Sequence, residues 1–80
     1  MHDYLRNVRI KIRSGVLYQY LKDEGIGRNE LARRCGVSNA TAYRIDEGMV
    51  DPSPKFIAAL ITVTGQRFED LFEIVAQDAA

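Results

Sequence analysis

The chain has 80 residues, 46% of them hydrophobic and 28% charged, and its eleven basic and eleven acidic side chains cancel at pH 7. That length suits one small domain that buries only about 60% of its unfolded surface, so added core from an oligomer is energetically reasonable. No apolar run approaches the roughly 20 residues of a membrane helix, the first residues lack a signal-peptide layout, and the single cysteine excludes an internal disulfide, so no membrane association and a cytoplasmic location are expected.

Asn7 to Arg13 alternate strictly, Val8, Ile10 and Ile12 on one side and Arg9, Lys11 and Arg13 on the other, the period of a β-strand with branched residues. Leu5, Val8, Ile12 and Val16 also fall three or four apart, so a helix remains open here. If it is a strand, it needs a partner, and the same strand of a second subunit across a two-fold axis is one candidate. Ser14 and Gly15 then interrupt the chain. A first helix is predicted over Val16 to Glu24, with Leu17, Tyr20 and Leu21 on its apolar face and Gly25 after its end.

A second helix is expected from about Arg28 to Cys35, with Leu31 and Cys35 four apart on its buried side and Ala32 at a close helix approach. Gly36 sits where the chain leaves that helix, at a position suited to positive φ and to the absence of a side chain. Val37 follows, and Ser38 can cap a third helix from about Asn39 to Glu47 whose inward residues are Ala42 and Ile45 and whose end is Gly48. Two short helices joined by three or four residues form a helix-turn-helix unit. Cys35 then reads as a small core residue, not a reactive thiol.

After a loop from Met49 to Pro52, Ser53 caps a fourth helix with Pro54 at its first position and Phe56, Ile57, Leu60, Ile61 and Val63 as its apolar surface. Gly65 ends it. A fifth helix, about Phe68 to Ala76, is predicted to bury Phe68, Leu71, Phe72 and Val75, with Glu69 and Asp70 complementing its dipole.

Charge is distributed unevenly. Residues 1–44 hold nine basic and four acidic side chains, whereas residues 45–80 hold two basic and seven acidic, a swing from +5 to −5. Such asymmetry points to a basic face for phosphates and an acidic side held away from them. Nothing suggests catalysis. The one histidine, His2, reads as a solvated terminal residue, and no His and Cys spacing fits a metal site, so neither a metal nor a cofactor is expected.

From Gly25 to Phe72 the chain reads GIGRNELARRCGVSNATAYRIDEGMVDPSPKFIAALITVTGQRFEDLF, 48 of the 80 residues. The ordered landmarks ELA, GVS, RI with a following acid, Gly48, Pro52-Ser53, an apolar helix, a glycine and a closing apolar-acidic-apolar helix resemble the phage Cro and repressor proteins, the XRE-like helix-turn-helix family. The resemblance implies an all-α, five-helix lambda-repressor-like DNA-binding domain, here with a short N-terminal β-strand arm as an added option. The corresponding division is a basic arm at 1–13, a helix-turn-helix domain at 14–77 and a tail at 78–80.

The resemblance also places base-edge contacts at Asn39, Ala40 and Arg44, and their chemistry agrees. Asn39 can bond adenine N6 and N7, Arg44 can bond guanine O6 and N7, and Ala40 can pack on a thymine methyl. Arg28, Ser38, Thr41 and Tyr43 suit the DNA backbone, and Arg9, Lys11 and Arg13 are candidate arm contacts. Departures from the family pattern are Arg28 where a glutamine is frequent, Gly27 in place of a hydroxyl cap, Met49 and Val50 in the loop, and Leu21 where a basic residue pairs with the position of Asp46. The expected protein is a Cro-like phage or prophage repressor, a non-enzymatic transcription regulator acting as a homodimer on a pseudo-palindromic operator in double-stranded DNA. Two alternatives stand beside it: an autoregulating antitoxin that holds a toxin through Phe72, Ile74 and Val75, and a protein-interaction module using Tyr43 and Met49.

Overall fold

The structure, a computed structural model, describes residues 8–76. Expectations for His2, Leu5, Asn7 and the tail at 78–80 lie outside the described residues. In chain order the elements are strand β1 (Val8–Ile12), helices α1 (Val16–Glu24), α2 (Arg28–Cys35), α3 (Asn39–Asp46), α4 (Pro54–Thr64) and α5 (Phe68–Leu71), and strand β2 (Phe72–Ala76).

The domain is therefore not all-α. The expected fifth helix stops after one turn at Leu71, and Phe72 to Ala76 leave it as a strand that pairs antiparallel with β1, Ile12 opposite Phe72, Ile10 opposite Ile74 and Val8 opposite Ala76. The apolar residues of this segment satisfy a period of two as well as one of 3.6, and Ile74 and Val75 are branched at Cβ. What decides is β1, whose unpaired N–H and C=O groups need a ladder that only an extended partner supplies. The partner that β1 needs is thus supplied within its own chain, by β2. Arg13 N donates to Leu71 O at 2.9 Å, which continues the contact past the last paired residues.

Alternation puts Ile12, Ile10, Phe72 and Ile74 on one face of the ribbon. At its inner end Ile12 and Phe72 enter the core, while at its outer end Val8 and Ile74 remain exposed, Ile74 at 66%. Phe56 and Leu60 of α4 lie at the centre of that core and are joined by Leu17, Leu31, Cys35, Ile45 and Leu71. Helix α4 starts where Ser53 Oγ accepts from Phe56 N at 3.1 Å with Pro54, which has no N–H to satisfy, in the first turn. Phe68 stacks on Phe72 with ring centroids 5.2 Å apart, closing the corner between α5 and β2.

Candidate nucleic-acid interface

Helices α2 and α3 are joined by three residues, and the local chemistry of each sets the turn. Gly36 adopts φ 75°, and the N–H groups of Gly36 and Val37 return to Arg33 O and Ala32 O at 3.1 and 3.0 Å. A Cβ on Gly36 would meet nothing within 4 Å. Its requirement is thus the left-handed backbone alone, and the expected steric need for glycine there is corrected. Ala32, the other small residue of the unit, is buried.

Ser38 is extended and its Oγ accepts from Thr41 N at 3.0 Å while sharing a hydrogen bond with Thr41 Oγ1 at 3.0 Å. Either hydroxyl can be the donor in that pair, and since their mutual bond uses one proton the other can donate outward. From this cap α3 runs with Ala42 and Ile45 buried at 1% and 3%. The helical period then turns Asn39, Ala40, Tyr43 and Arg44 to solvent, with Thr41 half-buried at the flank. The structure thus brings the three residues assigned to base edges onto one exposed surface of α3. Among the described residues Arg44 has no carboxylate within ion-pair distance.

Arg28 opens α2 without help from Gly27, which makes no side-chain cap. Its Nη2 donates to Asp46 Oδ2 at 3.3 Å, and its Cζ lies 5.3 Å from the centroid of the Tyr43 ring. The acidic position that Leu21 leaves without a partner is therefore served by Arg28. One guanidinium ties the start of α2 to the end of α3 and to the aromatic ring on α3's outer side. On α2 itself, Arg33 and Arg34 both pair with Glu30.

The arm residues lie on the body of the domain. Arg9 Nε donates to Asp51 Oδ1 at 2.6 Å and its Nη2 to Gly48 O at 3.3 Å. Arg13 Nε donates to Glu69 O at 2.9 Å, and its Nη1 lies 3.6 Å from Glu73 Oε1. Lys11 extends over Gly48. Arg9 to Asp51, Arg13 to Glu73 and Arg28 to Asp46 each join the basic first half of the sequence to its acidic second half. The linear charge asymmetry is thus partly neutralised in space. Sequence reasoning missed these pairs because their members stand 18 to 60 residues apart in the chain, and no local spacing marks them.

Of the residues assigned to a toxin-holding surface, Phe72 is 1% exposed and lies in the core, while Ile74 is open. Tyr43 and Met49 are both exposed, at 45% and 62%. Cys35 is buried, and loss of solvent pushes its thiol pKa up. Among the described residues no group of three or more His, Cys, Asp or Glu gathers as metal ligands, and no helix is long and apolar enough to cross a membrane.

An uncharacterized HTH-type transcriptional regulator of Bacillus subtilis (strain 168), YvzC, is 34% identical to this chain over 64 residues, which span 80% of this chain and 83% of that protein. No family model and no solved structure matches the chain.

Proposed function

The chain belongs to the HTH-type transcriptional regulators, and we propose that within that family it is a Cro-like phage or prophage repressor that reads operator DNA through α3. The observation that carries this is the division of α3 into a buried side, Ala42 and Ile45, and an exposed side, Asn39, Ala40, Tyr43 and Arg44, at the end of a three-residue turn. Asn39 pairs with adenine, Arg44 with guanine and Ala40 with a thymine methyl, and each bidentate pair discriminates by about 1–3 kcal/mol. The hydroxyl pair of Ser38 and Thr41 donates to a phosphate, Tyr43 flanks it, and Arg28 meets the backbone from the start of α2. Electrostatic attraction to phosphates makes association fast and salt-sensitive.

Helix α3 has eight residues, a length of about 12 Å. One such helix covers only about a third of a DNA turn, so the regulator acts as a homodimer on half-sites about 34–36 Å apart. Repression follows by occluding polymerase.

Selection of bound duplexes from a random DNA pool tests this. A recovered motif with dyad symmetry is the expected result, and recovery of no motif at all overturns it. Replacing Asn39 and Arg44 together by Ala is then expected to abolish preference for that motif over a shuffled duplex by roughly 30-fold or more, from two contacts of about 1–3 kcal/mol each. Preference that survives the double substitution would assign the surface to another ligand.

A further inference from the structure

We propose that strand β1 is the positioning element of the reading helix: Arg9, with Lys11 beside it, holds the turn that ends α3 and so sets the angle at which Asn39, Ala40 and Arg44 are presented. The inference rests on the assignment of α3 to DNA reading. It assigns Arg9 a role inside the protein and not on the phosphate backbone.

The last turn of α3 is closed by N–H groups of Glu47, Gly48 and Met49 on the carbonyls of Tyr43, Ile45 and Arg44 at 2.9, 3.0 and 2.8 Å. Gly48 lies at φ 76°, and this left-handed residue turns the chain towards Asp51. The guanidinium of Arg9 grips that loop at two points three residues apart, the Gly48 carbonyl at 3.3 Å and the Asp51 carboxylate at 2.6 Å. A planar fork that spans two acceptors fixes orientation as well as distance. Lys11 closes the remaining space, since a Cβ on Gly48 would lie 3.0 Å from its Cε and 3.3 Å from its Nζ. The strand that carries both residues is itself fixed, by its ladder to β2 and by Ile12 in the core.

Helix α3 is thereby seated from both ends, by the Ser38 cap at its start and by β1 at its finish. A helix of this length converts a tilt of about 10° at one end into a shift of about 2 Å at the other. That exceeds what a bidentate contact to a base edge tolerates. Asp51 and Gly48 take up Arg9 Nε and one N–H of Nη2, so the guanidinium is oriented by the loop that follows α3, as a structural brace requires.

Asp51→Asn separates the two roles because one changes affinity for every duplex and the other changes the preference between duplexes. Removing an exposed carboxylate next to DNA strengthens binding to every duplex if only charge matters. If β1 positions α3, preference for the selected motif over a shuffled duplex instead falls by roughly fivefold, and the salt slope of binding is unchanged. Arg9→Ala is expected to lower the preference likewise, and Arg9→Lys does not restore it, because one ammonium cannot span both acceptors in a fixed plane. In free protein, hydrogen exchange at the amides of Glu47, Gly48 and Met49 is expected to quicken in both Arg9→Ala and Asp51→Asn while amides of α4 keep their rates.

Tighter binding of both duplexes by Asp51→Asn at an unchanged ratio overturns the proposal. So does a salt slope that drops by about 0.9 in Arg9→Ala and returns in Arg9→Lys, the mark of a phosphate contact. Unchanged exchange at the three amides overturns it without any DNA, so failure of the brace is distinguishable from failure of α3 as a DNA reader.

Discussion

Arg28 is the side chain whose removal tests most directly how this helix-turn-helix is held together. Its Nη2 lies 3.3 Å from Asp46 Oδ2, with the two side chains 36% and 26% exposed. At that distance the bare attraction is about 1.3 kcal/mol in water and about 5 kcal/mol at an effective dielectric of 20. Partial exposure, desolvation and side-chain ordering reduce it to about 0.5–1 kcal/mol net. Stacking over Tyr43 at 5.3 Å adds about 0.5–1 kcal/mol.

Arg28→Met is thus expected to cost about 1–2 kcal/mol and Asp46→Asn about 0.5–1 kcal/mol, with a coupling of about 0.5–1 kcal/mol in the double-mutant cycle. In a domain of this size each kcal/mol lowers Tm by roughly 4–8 °C. The assay is urea unfolding followed by circular dichroism for the four proteins, at about 0.1 M and again at about 1 M NaCl, where the Debye length falls from about 10 to 3 Å and the coupling shrinks. A coupling indistinguishable from zero at low salt, or one that does not weaken with salt, refutes the assignment of Arg28 as the partner of Asp46.

Phe72→Ala is expected to cost about 3–5 kcal/mol, because its ring is buried beside Phe68 and the core, whereas Ile74→Ser two residues on, being exposed, changes stability by less than about 0.5 kcal/mol; equal costs in urea unfolding would contradict the placement of the ribbon's inner end in the core and its outer end in solvent. Gly36→Ala is expected to cost about 1–2 kcal/mol from positive φ alone, with a crystal structure of the variant showing α2 and α3 at their native separation, since no atom stands in the way. Cys35 should react slowly with thiol reagents at neutral pH and at full rate in denaturant. Its thiol pKa is raised on folding, so the unfolded chain loses its proton first; stability from this group is complete below the ordinary thiol value and declines as pH rises through the raised one. Unfolding curves of wild type and Cys35→Ala across that alkaline range should therefore converge, and parallel curves would contradict the shift.

Much of the domain is written in local residue chemistry. The spans of α1, α2 and α4, the Ser38 and Ser53 caps and the turn at Gly36 follow from apolar periodicity and capping residues within a few positions of one another. The exposed surface of α3 was legible for the same reason, once Ala42 and Ile45 were placed inward. The segment from Phe72 to Ala76 was not, because its apolar residues suit a helix and a strand equally well in isolation. Nor was the setting of Arg9, Arg13 and Arg28, whose partners are set by how distant segments meet.

The sequence by itself therefore determined the bihelical unit and the side of it that faces outward, since both depend on the 3.6-residue period and on short-range caps. Only the tertiary structure decided that the last element is a strand and that the basic arm lies against the body of the domain. The physical reason is the same in both cases: backbone groups of β1 and its charged side chains must find partners, and those partners lie about 40 to 70 residues away along the chain.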